Sequence, residues 1–525
     1  MTVKRIVLSI LSLLAIAAIW LSLMSSWSNP QEQTRLDLLQ TDLILQATEW
    51  QGDAADNAAV RQLLFDGEPK KVYKQALESY QAARASNVRL IAELSQEQLT
   101  DGTISDPSAL QKKRSRKQNL VNELDVHIGL LKVQTGDVPG AIATWQGVTK
   151  NEATQRTSMG ITAEILQGLW SNPIMLLPNA EGQVRRSLSG WYRHIALEQL
   201  YRAQQRLDLI PSVKKQQQLE ATSAVNRLLV ANAVPLLGGI LGIFLWIVLG
   251  VQRLFFRSSS PFYRPKEVSE RESSSEIEPL RSRAQTWTVP WDGETVWEVM
   301  VLWFTSFIVV SQLVLPLALS AFRLGSGSGS SSYTYKALLV LFPYILSMLP
   351  ILVILQICLQ RFRPLPSHWF RFNLFSWRSL VWGIGGYLAA VPLVVIVSAV
   401  SEQVLQGQGG GNPLLPILVE SQDNRAKLIL WLTLAIAAPF FEELLFRGFL
   451  LPSLTKFMSY GGAIALSAFC FALAHLNLAD LIPLTVLGMV LGFVYVRSNN
   501  LFAPMLVHCL WNSGSFVALL ALGGN

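Results

Sequence analysis

The sequence predicts an all-α, polytopic membrane protein of about nine spans with an inserted α-helical domain outside the cytoplasm. Three observations predict it. Only 15% of the 525 residues are charged, against about 25% in soluble globular chains. The mean hydropathy is +0.33, and it is concentrated in long apolar runs after residue 228. Residues 28–227, by contrast, read as ordinary soluble sequence.

Residues 6–24 form an apolar run behind Lys4 and Arg5. It is near the twenty or so residues that cross a bilayer. It is longer than a signal-peptide core and no small-x-small cleavage site follows, so 1–27 reads as an uncleaved membrane anchor. Residues 28–227 are rich in Leu, Ala, Gln, Glu, Lys and Arg, which favours helices. Within them Gly129, Gly136, Ala141 and Trp145 stand at the spacing of a tetratricopeptide helix pair. Ala76-Leu77 with Tyr80 repeats its second half, and Gly190-Trp191-Tyr192 to Ala196-Leu197 is a third fragment. A plain helical bundle fits the same pattern.

A transmembrane segment at 228–251, a polar cytoplasmic linker at 252–298, transmembrane spans over 299–378 and a final core over 379–525 complete the expected organisation. The spans fall at about 299–322, 336–359, 379–400, 427–451, 461–478, 481–497 and 500–521. The linker is expected to be poorly ordered over about 252–295, and flexible loops are expected at 325–332 and 406–412.

The net charge of +7 does not point to nucleic acid. Arg253, Arg257, Arg264, Lys266, Arg361, Arg363, Arg371 and Arg378 sit in loops beside apolar runs, the pattern of positive-inside loops. No nucleic-acid partner is expected; membrane lipid is. The same alternation places 28–227 outside; the expected membrane is a bacterial plasma membrane or a photosynthetic membrane. Cys358, Cys470 and Cys509 all lie in apolar segments, so no disulfide framework or CxxC metal motif is available.

Polar residues then separate the spans. Spans three to five hold no acidic residue and no histidine. The last four segments hold Glu442, Glu443, Arg447, His475, Asp480 and His508. A charge in hydrocarbon is costly, and such groups mark function by default. Adjacent glutamates on a helix point about 100° apart. Glu443 and Arg447 are four apart with the acid first, the favourable order for a helical ion pair. Glu442 is left facing elsewhere, suited to proton transfer. Pro439 cannot donate to the Ala435 carbonyl, which predicts a kink or water entry just before the acids. Phe471 lies one turn before His475, and Asn512 one turn after His508 on a shared face. Each stretch alone fits interhelical clamping equally well.

Glu442-Glu443-Leu-Leu-Phe-Arg447, Phe471-Ala-Leu-Ala-His475 and His508-Cys-Leu-Trp-Asn512 appear in order on successive segments. This triple resembles the CAAX protease and bacteriocin-processing family, also called the type 2 CAAX prenyl endopeptidase-like or Abi family. The resemblance covers roughly 380–525 and leaves 28–227 as an addition. It implies hydrolysis of a peptide bond in a membrane-associated peptide or protein. It makes Glu442, His475, His508 and Asn512 the catalytic residues, with Glu443, Arg447 and Phe471 in support. Glu442 and His475 would activate water; His508 and Asn512 would stabilise the oxyanion. Glu442, His475 and His508 are also competent zinc ligands, and a metal-free route would use the same residues. The motif helices show no visible interruption in the sequence.

Two other readings stand beside this one. The first is a non-catalytic membrane scaffold whose 28–227 region binds a protein partner. The second is a proton-coupled transporter. Rise arithmetic at about 1.5 Å per residue puts Glu442 and His508 toward the inner side and His475 toward the outer side, in tension with a shared water.

Overall fold

The computed structural model describes residues 2–28, 33–52, 62, 68–100, 107–150, 157–255, 287–321, 332–366, 368–374, 376–405, 418, 421 and 423–523. The linker expected at 252–295 and the loops expected at 325–332 and 406–412 fall largely outside them. Among the described residues every regular element is a helix. The chain divides into two compact units, Glu32–Ala231 on one hand and Met1–Gln31 with Asn232–Asn525 on the other.

After the N-terminal helix α1 (Val3–Ser28), the first unit contains α2 (Gln33–Ala47), α3 (Pro69–Thr100), α4 (Pro107–Gln134), α5 (Val138–Thr149), α6 (Ser158–Trp170), α7 (Ala180–Ser187) and α8 (Gly190–Ala203). It takes in the first part of α9 (Ile210–Phe255). Gly129 lets α4 and α5 approach: a Cβ there would lie 2.1 Å from the Trp145 indole nitrogen. The buried Trp145 donates to the Val126 carbonyl at 3.2 Å. Gly136, at φ +91, turns the chain where a side chain would be strained, and Asp137 caps α5 by accepting from Gly140 N at 2.9 Å. The helix pair read from Gly129 to Trp145 is therefore present. A 34-residue repeat has no room for helices of 32 and 28 residues, the lengths of α3 and α4. Repeat-like pairing is confined to the end of α4 with α5, and α5 with α6. Buried and half-buried acids in this unit have partners: Arg84 with Asp125, Tyr80 donating to Asp42 at 2.5 Å, and His194 with Glu220 at 2.9 Å.

In the second unit the helices are α10 (Gly293–Ala318), α11 (Tyr333–Phe362), α12 (Trp377–Leu405), α13 (Asn424–Leu454), α14 (Tyr460–Leu473), α15 (Leu478–Ser498) and α16 (Phe502–Gly523). Together with Val3–Trp27 and Leu207–Phe255, all but α14 are long and apolar enough to cross a membrane, eight helices among the described residues. The chain is an all-α, multi-pass integral membrane protein. Side chains such as Phe342, Val353, Ile357 and Ile396 are left exposed, as lipid-facing positions would be. Lys4 meets Glu298 at 2.8 Å and Arg5 meets Glu294 at 2.8 Å, while Trp297 donates to Ser12 Oγ at 2.9 Å; these join α1 to α10.

Helix α13 is the centre of this unit. Its Leu445, Phe446 and Phe449 are fully buried against Trp291, Trp303, Phe471 and Leu491. Between helices in lipid such interlocking, rather than hydrophobic transfer, drives association. Trp291 donates to Ser453 Oγ at 2.9 Å, which satisfies its indole inside the core.

One expectation is corrected and one is extended. Span seven, drawn over 461–478, ends as a helix at Leu473 and has only 14 residues. Leu476 takes a left-handed φ of 54, and Asn477 starts the next helix by accepting from Ala479 N at 3.0 Å. Span six, where Pro439 predicts a disturbance just before the acids, carries two π-helical stretches, Thr433–Ala437 at that place and Leu444–Leu450 beyond it.

Candidate active site

The polar residues of α13 to α16 converge. Glu443 and Arg447 are both fully buried and pair at 2.8 Å. Glu443 Oε1 also accepts from His508 Nδ1 at 2.9 Å. Arg447 reaches across to the Gly488 carbonyl at 3.2 Å, and its guanidinium carbon lies 4.4 Å from the centre of the Phe471 ring. Gly488 leaves the room for this: a Cβ there would meet Ala468 Cβ at 2.9 Å and Arg447 Nη2 at 3.2 Å. The charge of Arg447 is thus shared between a carboxylate, a carbonyl and an aromatic face, as a buried cation requires.

Glu442 points the other way, as two adjacent helical residues must. Its Oε1 accepts from the Tyr344 hydroxyl of α11 at 3.1 Å. Its Oε2 has no hydrogen-bond partner among the described residues. That oxygen lies 3.9 Å from His475 Nε2 and 4.0 Å from His508 Nε2. Both distances exceed a direct hydrogen bond. They are the separations that one bridging water spans.

Both histidines are held by their other nitrogen. His475 Nδ1 donates to the Phe471 carbonyl at 3.0 Å, so in the neutral ring Nε2 is the acceptor. His508 Nδ1 donates to Glu443, which likewise turns Nε2 toward Glu442. Phe471 stands edge-on to both rings, 5.0 Å from His475 and 5.7 Å from His508 between centroids. The site is graded in depth. The His508 and Glu442 side chains are 4% and 12% exposed, whereas that of His475 is 32% exposed, so access is from the His475 side.

The tension over depth disappears because α14 stops early. His475 sits in the turn between α14 and α15 rather than at the far end of a full span, and the turn returns it to Glu442.

Asn512 does not meet Glu442 in any hydrogen bond. Its amide donates to the Leu434 carbonyl at 2.7 Å. The Leu434 carbonyl lies one residue before Ala435, whose carbonyl Pro439 cannot serve. Tyr344 is the member that motif reading misses; a tyrosine hydroxyl inside an apolar span needs a partner, and that was the available signal.

Zinc held by N and O ligands at about 2.0–2.1 Å sets tetrahedral neighbours about 3.3 Å apart. The donors here stand 3.9 and 4.0 Å apart, and no group of three His, Cys, Asp or Glu among the described residues is arranged to hold a metal. The arrangement does not fit a closed three-ligand metal site.

Comparison with known proteins bears on the same stretch. Residues 424–514 match the family model described as "Type II CAAX prenyl endopeptidase Rce1-like". That range contains every motif residue from Glu442 to Asn512, and the resemblance read from the three motifs holds over it. A curated relative, "Putative membrane peptidase YdiL" of Bacillus subtilis (strain 168), is 24% identical over 151 residues, 27% of this chain. The match spans 57% of that relative's length. No solved structure matches.

Proposed function

We propose that this protein is an intramembrane endopeptidase that cleaves membrane-associated peptides or proteins with a water activated by Glu442 and His475. The observation that carries the reading is the unpartnered Glu442 Oε2 facing two imidazole nitrogens at 3.9 and 4.0 Å. The likeness to prenyl endopeptidases supports it.

In this reading a water between these groups gives one proton to Glu442 Oε2, while its remaining O–H donates a hydrogen bond to His475 Nε2. The oxygen bonds to the scissile carbonyl carbon, and the carbonyl π pair moves onto its oxygen. Glu443 holds His508 by Nδ1, and in this step His508 acts as the imidazolium whose Nε2–H faces the new oxyanion. When the oxyanion collapses the C–N bond breaks, and Glu442 returns its proton to the leaving nitrogen. Tyr344 keeps Oε1 occupied so that Oε2 is the basic oxygen. No step is routed through a metal.

The test is Glu442→Gln in the full chain. It keeps shape and loses the base, so turnover of a model membrane peptide should fall about 10²–10⁴-fold with an unchanged unfolding midpoint. In cells, proteomics should show a set of cleaved membrane peptides that disappears in the variant. An identical set of cleavages in both would refute the assignment and leave the scaffold reading.

A further inference from the structure

The contact between Asn512 and Leu434 has a cause in the chemistry of α13. In an α-helix the Leu434 carbonyl would accept from the residue four on, Ala438. Ala438 N–H instead donates to Thr433 O, five residues back, which is the π register. In that register the donor to Leu434 would be the residue five on. That residue is Pro439, which has no N–H.

The Leu434 carbonyl therefore has no backbone donor on its own helix, and an unpaired carbonyl inside a membrane is costly. Asn512 of α16 supplies the missing donor at 2.7 Å. A second bond beside it, from Trp431 to Ser513 Oγ at 3.1 Å, closes the same stretch of α13 onto α16.

We infer that Asn512 is a positioning residue, replacing the backbone N–H that Pro439 lacks and so fixing the π turn that aims Glu442 at His475 and His508. A π turn inserts one residue into the helical path, and one residue is a rotation of about 100°. Glu442 follows Pro439 by one turn, so its direction depends on that insertion. His508 lies one turn before Asn512, so the same bond also sets the register in which α16 offers His508 to both glutamates. The resemblance places Asn512 at the oxyanion instead. One of its two amide hydrogens is already committed to Leu434, and the two roles predict different behaviour when Pro439 is changed.

The turnover arm of the test rests on the peptidase reading; the stability arm does not. Wild type, Asn512→Ala, Pro439→Ala and the double variant are compared as full chains in lipid nanodiscs. Unfolding midpoint, kcat and KM on one model peptide are measured for each. Asn512→Ala should lower the midpoint and cut kcat by about 10²-fold, the scale of a misplaced catalytic group, with little change in KM. In the double variant residue 439 again has an N–H for Leu434, so both midpoint and kcat should largely recover.

A double variant with restored midpoint and the kcat of Asn512→Ala would overturn the inference and return Asn512 to the oxyanion. Additive effects on the midpoint would overturn it too. Pro439→Ser is made alongside, since any residue with an N–H should serve. If neither Pro439 variant folds while Asn512→Ala does, the inference also fails. A wild type that cleaves nothing would sink the peptidase reading, while non-additivity of the midpoints would still decide whether Asn512 and Pro439 are linked.

Discussion

Glutamate and histidine come together in both units of this molecule, around Glu220 and Glu442 in opposite ways. In the helical unit His194 Nε2 closes on Glu220 at 2.9 Å, and Arg193 takes the other oxygen at 2.9 Å. In the membrane unit His475 and His508 stop at 3.9 and 4.0 Å from one oxygen of Glu442. The first arrangement spends its charges on itself and has no capacity left for a reaction. The second is held open by bonds to the far sides of its members: Tyr344 on Glu442, Phe471 on His475, Glu443 on His508. The same residue types make architecture when they touch and, on the proposed function, a reactive centre when a third body fits between them. What decides is the set of partners behind each side chain.

The comparison breaks hardest at Arg447. Removing it leaves Glu443 buried without its cation, a loss of about 3–5 kcal/mol. Arg447→Ala should therefore yield little folded protein. Arg193→Ala in the other arrangement breaks a partly exposed pair, worth about 0–1 kcal/mol, and should leave expression and unfolding midpoint nearly unchanged. Normal folding of Arg447→Ala with loss of turnover alone would move Arg447 from support into the reaction. A gentler cut is Tyr344→Phe. It removes a hydrogen bond to a carboxylate, worth about 1.5–3 kcal/mol, and frees Oε1 to compete with Oε2. Turnover should drop about ten- to hundredfold with the fold intact; unchanged kcat would show that Glu442 is aimed without it.

The smallest effect sharpens the comparison through pH. In the helical unit burial pushes the Asp42 carboxyl up to about 7, although the Tyr80 hydroxyl opposes it. Burial pushes His127 down to about 4. Asp42 above its ordinary value of 3.8 favours folding fully at low pH, and that contribution is lost as pH rises toward 7. His127 below its ordinary 6.5 works the other way: its contribution is full above 6.5 and lost as pH falls toward 4. The two slopes oppose each other between pH 4 and 6.5. Asp42→Asn removes one, so stability of this unit should rise with pH across that window more steeply than in wild type. Hydrogen exchange of its amides in the full chain measures this; equal slopes in the two proteins would exclude Asp42 as the opposing group.

Much of the site was legible in the residues. The adjacent glutamates, the spacing to Arg447 and the ordered histidines name the groups, because helical geometry turns spacing into direction. Depth was not legible. The apolar run carries on past His475 through Leu476 and Leu478, so hydropathy does not mark where α14 stops. The stop comes from one left-handed residue and the Asn477 cap, and an asparagine ahead of a helical run is a signal a closer reading uses. Pro439 announced a disturbed helix but not which carbonyl it orphans, since that depends on π rather than α register. Tyr344 comes from 98 residues away, and no local pattern points from it to Glu442.

Helix α14 has one more consequence. Its 14 residues reach about 21 Å at 1.5 Å per residue, against a hydrocarbon layer of about 30 Å. Lipid tails beside the hairpin of α14 and α15 must shorten, or headgroups and water must sag toward the turn, to cover the difference. His475 stands at that turn. A bilayer thinned there would bring headgroups and water to His475, and on the proposed function the thickness of the surrounding membrane would become part of the path by which a polar peptide segment reaches Glu442.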